Sequence, residues 1–255
     1  MVKRIIITAS VCISFLGLCG AYFYFVGNLA AQKKHDAECR CVNVTILDSL
    51  ESSAVNIQEI YTLVSGPALG KPMEAIDLKG LEGLVRSNGE VMGAEVYTDA
   101  YCNVEVTLTQ RKPVVRFDNG ENDFYSDAGG YLFPVKHHIE MPVVTGHIPL
   151  QPESGFKGYP DIAQKEWVGK MVNLAEYIES SKFLKRQIQQ IDIQENGDIV
   201  LYTAVGDQSI LFGNCDDIAK KFAKLEAFYR SIVPEKGLDR YSVINLKVKN
   251  QIICK

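Results

Sequence analysis

The segment VMGAEVYTDAYCNVEVTLT, residues Val91 to Thr109, contains two strand-like runs joined by a short polar turn. Val91 to Tyr97 and Asn103 to Thr109 are the runs, and Val104, Val106 and Leu108 share one face of the second because strand side chains alternate. Asp99-Ala100-Tyr101 reads as the turn between them. Upstream the period becomes helical: Leu78, Leu81, Leu84 and Val85 form a stripe, with Asp77 placed to cap its start and Asn88-Gly89 to close it. Ile57, Ile60, Tyr61 and Val64 form an earlier stripe that Gly66-Pro67 is expected to end. Before that, Val42, Val44 and Ile46 alternate with Asn43 and Thr45 as in a half-buried strand. The order strand, helix, helix, strand, strand predicts an α+β module with its helices on one side of a three-stranded sheet.

Downstream the pattern is β-rich. Asp118-Asn119-Gly120 marks one turn, and Gly129-Gly130 marks another between Phe124-Tyr125 and Tyr131-Leu132-Phe133. Pro142, Pro149, Pro152 and Pro160 make the following stretch loop-rich. From Trp167 a helix is expected, with Trp167, Met171, Leu174 and Ile178 on one face. Ile188, Ile191 and Ile193, then Ile199 and Leu201, flank Glu195-Asn196-Gly197-Asp198, a hairpin signal because Asn-Gly accepts positive φ angles. Asp216 or Asp217 is placed to begin a helix carrying Ile218, Phe222, Leu225, Tyr229 and Ile232, stopped by Pro234 and Gly237. Ile244, Leu246 and Val248 alternate with Asn245, Lys247 and Lys249, which predicts a terminal edge strand.

At the other end, Ile5 to Val26 is a run of 22 uncharged residues between Lys3-Arg4 and Lys33-Lys34-His35. As a helix it covers about 33 Å, against a hydrocarbon core of roughly 30 Å, and it exceeds the apolar core of a cleaved signal peptide. The flanking basic counts are nearly balanced, so charge barely votes on orientation; the expectation is amino terminus inside and carboxyl terminus outside. The layout expected is a cytoplasmic tail at 1–4, a transmembrane anchor at 5–27, a tether at 28–40, the α+β module at 41–111 and the β-rich domain, with its two helices, at 112–255.

Net charge is −4, which gives no broad basic field for nucleic acid. Of seven cysteines, Cys12 and Cys19 lie in the apolar run, leaving Cys39, Cys41, Cys102, Cys215 and Cys254. That odd number leaves at least one thiol unpaired within the chain. Cys39-Arg40-Cys41 lacks zinc-finger spacing, and Cys41 with Cys102 stays open as a disulfide because sequence does not supply the distance.

Catalytic signatures are sparse. Gly66-Pro67-Ala68-Leu69-Gly70-Lys71-Pro72 is one residue short of a phosphate loop and has Pro72 where a magnesium-binding hydroxyl belongs. There is no G-x-S-x-G elbow, no S-x-x-K at Ser181, and no H-E-x-x-H around His137, His138 and His147. Asn43-Val44-Thr45 reads as an N-glycosylation sequon, yet Thr45 is more simply a strand former. Tyr125 and Asp127 make the most site-like polar pair, although Asp127 before Ala-Gly-Gly is the pattern of a turn. No cofactor, metal or small-molecule substrate is expected.

Four segments in this order resemble the bacterial division proteins FtsQ and DivIB. Gln110-Arg111-Lys112-Pro113-Val114-Val115 is similar to the family's ER-x-P-V-A segment leaving its polypeptide-transport-associated (POTRA) module, with Gln110 in place of the usual Glu. Tyr125 to Phe133, with Asp127 and Gly130, resembles Y-x-D-x-x-G-x-x-F, and Met141 to Gly146, with Pro142, resembles L-P-x-x-x-G. Ile244-Asn245-Leu246-Lys247-Val248 resembles the closing V-D-L-R-Y strand, and the wording of Gly213-Asn214-Cys215 through Phe228-Tyr229 is closest to the Bacteroidetes branch. The resemblance implies a bitopic inner-membrane protein of the divisome, its later domains periplasmic, that performs no chemistry. It implies recruitment through the POTRA module and binding of FtsB, coiled with FtsL, by the last strands, in control of the septal synthase formed by FtsW and its penicillin-binding partner.

Carried over by position, the partner-binding residues are Leu246, Lys247, Val248, Lys249, Asn250 and Gln251. A terminal strand has a physical rationale for this, since its outer N–H and C=O groups are open to an added strand. Lys247 and Lys249 equally fit a protected edge that refuses one. Two other readings stand beside the scaffold: a membrane-anchored POTRA accessory for protein export or assembly, and a type II membrane-anchored enzyme. An outer-membrane assembly protein would carry further POTRA repeats or amphipathic barrel strands after the module, where this chain has two helical stripes.

Overall fold

The computed structural model describes residues 17–27, 37–48, 55–120, 122–204, 206–237 and 240–255. Residues 17–27 are helical, with Tyr22, Phe23, Tyr24 and Phe25 exposed. Among the described residues no helix is long and apolar enough to cross a membrane. Residues 1–16 and 28–36, which hold the tail, most of the expected anchor and most of the tether, lie outside the described residues.

The remainder divides into two compact units, one built on residues 56–109 with the strand before them and the other on Gln110–Lys255. In the first unit β1 (Val42–Ile46), α1 (Ile57–Ala68), α2 (Leu78–Arg86), β2 (Val91–Thr98) and β3 (Val104–Gln110) follow the predicted order. The sheet order is β1-β3-β2, with β1 parallel to β3 in the register Val42↔Val104. Val104, Val106 and Leu108 are buried, and so are Ile60, Val64, Leu81 and Val85 of the two helical stripes, whereas Ile57 and Leu84 of the same stripes are exposed. Asn56 Oδ1 caps α1 through the N–H groups of Gln58 and Glu59, and Asp77 caps α2 through Gly80. Gly66-Pro67 does not end α1 as expected. Pro67 sits inside its last turn, and Leu69 N–H closes the helix on Ser65 O. The hairpin turn is held by Asp99, whose Oδ1 accepts the N–H groups of Tyr101 and Asn103 at 2.8 Å each. Cys102 takes φ 65° in that turn.

The second unit carries β4 (Pro113–Asp118), β5 (Asp123–Asp127), β6 (Leu132–Pro134), β7 (Val143–Gly146), α3 (Ile162–Ser180), α4 (Lys182–Gln187), β8 (Ile188–Ile193), β9 (Ile199–Thr203), β10 (Ser209–Gly213), α5 (Ile218–Ser231), α6 (Val233–Lys236), β11 (Val243–Asn245) and β12 (Ile253–Cys254). One nine-stranded sheet runs β12-β11-β10-β9-β8-β7-β4-β5-β6. Met171, Leu174 and Ile178 of α3 and Phe222 and Leu225 of α5 are buried on one core with Phe117, Ile191, Leu201, Phe212 and Ile244. Tyr177 stacks on Phe222 at 5.3 Å, and Trp167 lies 5.6 Å from Phe117. Elsewhere β7 and β8 carry a polar ladder: Gln190 donates to Thr145 Oγ1, and Thr145 to Asp192 Oδ1, each at 2.8 Å.

Two expectations for this unit hold with a refinement, and two need correction. The proline-rich stretch is loop-rich as expected, with one short strand in it, β7, which runs parallel to both β4 and β8. α3 begins at Ile162, capped by Asp161, five residues before Trp167; Ile162 is 91% exposed, so its first turn adds nothing to the buried stripe. Asp217 begins α5 as its N-cap residue, as expected, but at φ 52° and with its side chain on Lys220 rather than on the helix N–H groups. Above all, the terminal strand stops at Asn245. Asn245 Oδ1 accepts the N–H of Lys247 at 2.9 Å, a local turn that competes with the ladder, and Asn250 at φ 59° turns the chain back. Leu246 to Gln251 is therefore a loop, and the edge strand is Ile253–Cys254.

Candidate functional site

The residues singled out by the sequence fall into two groups. Arg111, Pro113, Tyr125, Asp127, Gly130, Phe133, Pro142 and Gly146 gather around the β4–β5–β6 end of the sheet or its β7–β8 seam, and Leu246 to Gln251 lie at the opposite end, beside β11 and β12.

The first group builds the unit. Asp127 Oδ1 accepts the N–H groups of Gly129 and Tyr131, while Oδ2 takes Arg111 Nη1 at 2.5 Å. The Arg111 guanidinium lies 3.7 Å above the Tyr131 ring, so charge, turn and aromatic face close on one another with both charged side chains largely buried. Gly130 reverses the chain at φ 79°. Pro113 opens β4 at a bulge opposite Asp127, a position where a missing N–H costs nothing. Tyr125 is buried beside Phe133; its hydroxyl donates to His137 O at 2.7 Å and accepts from Ile139 N–H at 2.9 Å. Pro142 O accepts the N–H of Arg116. Gly146, at φ 82°, lies so near β8 that a Cβ would collide with Ile193 O and reach 2.9 Å from Asp192 Oδ1. These eight residues form a framework. Tyr125 and Asp127 are both committed to backbone partners, as the turn reading of Asp127 expects.

Other chemical candidates are dispersed. His138 meets Arg116, Asn43 Nδ2 donates to Glu105 on the neighbouring strand, and Cys39, Cys41, Cys102, Cys215 and Cys254 are free thiols, Cys41 and Cys102 included. Among the described residues no group of three or more His, Cys, Asp or Glu is placed to hold a metal ion.

The second group surrounds an open strand edge. Val243 and Lys255 exchange both of their backbone hydrogen bonds, N–H to O at 3.2 and 3.0 Å. In an antiparallel ladder the next pair, Ile244 with Cys254, is then the non-bonded one, so the N–H and C=O of Cys254 point away from β11. No strand lies beyond β12 among the described residues. The opposite edge differs: Leu132 of β6 gives and takes hydrogen bonds with Gly158 at 2.8 and 3.0 Å, and Pro134 has no N–H to offer. Of the two edges, β12 is the one open to an added strand.

Lys224 of α5 holds the loop beside it. Its ammonium donates to the carbonyls of Leu246 at 2.8 Å, Val248 at 2.6 Å and Gln251 at 3.1 Å. Desolvation by this packing pushes the Lys224 amine below its ordinary pKa. Val248 and Ile253 remain partly exposed next to the edge, 36% and 43%. Lys247 turns away to Asp198 at 2.6 Å. Sequence reasoning missed Lys224, whose three acceptors lie over 20 residues away along the chain.

A family model described as FtsQ/DivIB, C-terminal related, matches residues 112–255, which hold β4 to β12. The chain belongs to the FtsQ/DivIB family. A second model, described as a POTRA-like domain, matches residues 37–109. A search of curated proteins found no match. FtsQ/DivIB membership, together with the POTRA-like module, makes this a divisome scaffold of POTRA type from a family that is in general non-catalytic.

Proposed function

We propose that this FtsQ/DivIB protein is a non-catalytic, single-pass scaffold of the bacterial inner membrane that captures an FtsB-like partner by strand addition to β12. Residues 5–27 anchor it with the amino terminus in the cytoplasm, 28–40 form the tether, and the POTRA module at 41–111 and the β domain at 112–255 lie in the periplasm at the division septum. The partner is coiled with an FtsL-like chain, and through them and other divisome proteins the scaffold recruits and regulates septal peptidoglycan synthesis. Leu246, Lys247, Val248, Lys249, Asn250 and Gln251 contribute as the loop flanking the accepted strand.

The outward backbone of Cys254 is the observation that supports this reading, because a donor and an acceptor with no sheet partner give an incoming strand its register. The test is Cys254→Pro in the full-length protein. Proline removes the outward N–H and leaves the inward Val243–Lys255 bonds in place. Co-purification from membranes with FtsB-like and FtsL-like proteins is expected to fall at least tenfold at unchanged protein level. Undiminished recovery would overturn edge addition.

A further inference from the structure

The sheet of the first unit ends on β1, and the outer side of that strand is bare. Val104 N–H donates to Cys41 O at 3.0 Å and Leu47 N–H to Leu108 O at 2.9 Å, so Cys41 and Leu47 turn these groups toward β3. Between them the register runs unshifted from Val42↔Val104 to Ile46↔Leu108. Backbone groups alternate sides along a strand, which puts the N–H and C=O of Val42, Val44 and Ile46 on the outer side. No strand lies beyond β1 among the described residues.

Around this stretch the unit occupies its outer groups. The loop after α1 takes the chain up to Cys39: Cys39 N–H donates to Lys71 O at 2.8 Å, Gly70 N–H to Cys39 O at 3.0 Å and Met73 N–H to Ala37 O at 2.9 Å. At the other edge of the sheet the Arg86 guanidinium donates to Ala94 O of β2 at 3.0 and 3.3 Å. Val42–Ile46 has no charge, no proline and no bulge, the devices that keep strand edges from pairing. Asn43 leans inward, its Nδ2 on Glu105 Oε1 at 2.7 Å, and leaves the edge clear.

The bare stretch is symmetric about Val44. Laid antiparallel on a second copy, Val44 meets Val44 and Val42 meets Ile46, each pair exchanging both hydrogen bonds, while Asn43 stands opposite Thr45 and no like charges face each other. The same register carries the exposed Arg40 of each copy toward Asp48 of the other, opposite charges at both ends of the contact. We propose that β1 pairs with β1 of a second copy about a two-fold axis at Val44, joining two three-stranded sheets into one with the helices of both copies on one face. Each copy offers this edge once, so the pairing closes at two. Strand addition at β12 is a separate contact on the other unit, and neither depends on the other.

The test is sedimentation equilibrium of the full-length protein in density-matched detergent micelles, where the parent is expected to pass from monomer to dimer as concentration rises. Val44→Pro removes one outward N–H from each copy and leaves the bonds to β3, which its neighbours make, in place; the dimer should weaken by about tenfold or more. Arg40→Asp sets like charges together and should weaken it about fivefold, and Arg40→Asp combined with Asp48→Arg should return it to within about twofold of the parent. Should Val44→Pro lose the hydrogen-exchange protection of β3, the charge swap alone decides. A monomer at every concentration, a dimer that a folded Val44→Pro leaves intact, or a charge swap that restores nothing would each overturn the proposal.

Discussion

Replacing Lys224 by Met keeps the aliphatic stem packed on α5 and removes the ammonium from three carbonyls. The carbonyls of Val248 and Gln251 belong to exposed residues, so water takes over there at a cost of a few tenths of a kcal/mol each. Leu246 is fully buried, and its orphaned carbonyl costs about 1–2 kcal/mol. The sum is about 2 kcal/mol, localised on the turn at 246–251, and corresponds to a roughly 30-fold rise in the population of the opened loop. Hydrogen exchange read by mass spectrometry should show residues 246–255 exchanging on the order of 30 times faster, with the β8–β9 hairpin unchanged. Protection of 252–255 within twofold of the parent would refute the view that Lys224 holds the edge in place. Met at this position retains helix propensity, so fraying of α5 is separable by exchange in residues 218–231.

Gly146→Ala should destabilise the second unit by about 2–4 kcal/mol, read as a lower urea midpoint, because φ 82° and the collision with Ile193 O act together. Asp127→Ala strands a largely buried guanidinium and two turn N–H groups, and should cost about 3 kcal/mol in the same assay. Lys247 beside Asp198 holds that carboxyl below its ordinary value, so the pair's contribution is present above about pH 4 and is lost as pH falls through the lowered pKa; Asp198→Asn should flatten the urea midpoint between pH 5 and pH 3 relative to the parent. Burial pushes the Cys215 thiol up to about 11, so at pH 8 iodoacetamide should leave it unmodified in the native protein and alkylate it in urea, as peptide mapping would show.

The first unit was legible because its signals are local and agree. The alternation at Val104, Val106 and Leu108 specifies its own burial, and so do Ile60, Val64, Leu81 and Val85, though Ile57 and Leu84 of the same stripes lie exposed. Asp77 and Asn196-Gly197 are short-range chemistry that folding leaves intact. The terminal strand was misread because the same alternation continues through Val248, while the features that stop it are an Asn side chain turning on its own backbone and a lysine reaching in from another element. Neither has a period. The start of α3 escaped for the opposite reason: Ile162 is apolar yet faces outward, so the stripe begins a turn after the helix does. Arg111 and Asp127 stood out as motif residues, but their joint role needed the guanidinium placed over Tyr131.

The pairing of β11 with β10 is parallel, so the chain between them must leave the sheet, run through α5 and return. β12 in turn can pair only once β11 has arrived. The open edge is thereby conditional on completed folding. A chain that has formed the β8–β9 hairpin but not docked α5 has no β11 for β12 to join, and offers a partner nothing to extend. Under the strand addition proposed above, binding at β12 would report that β11 has docked on β10.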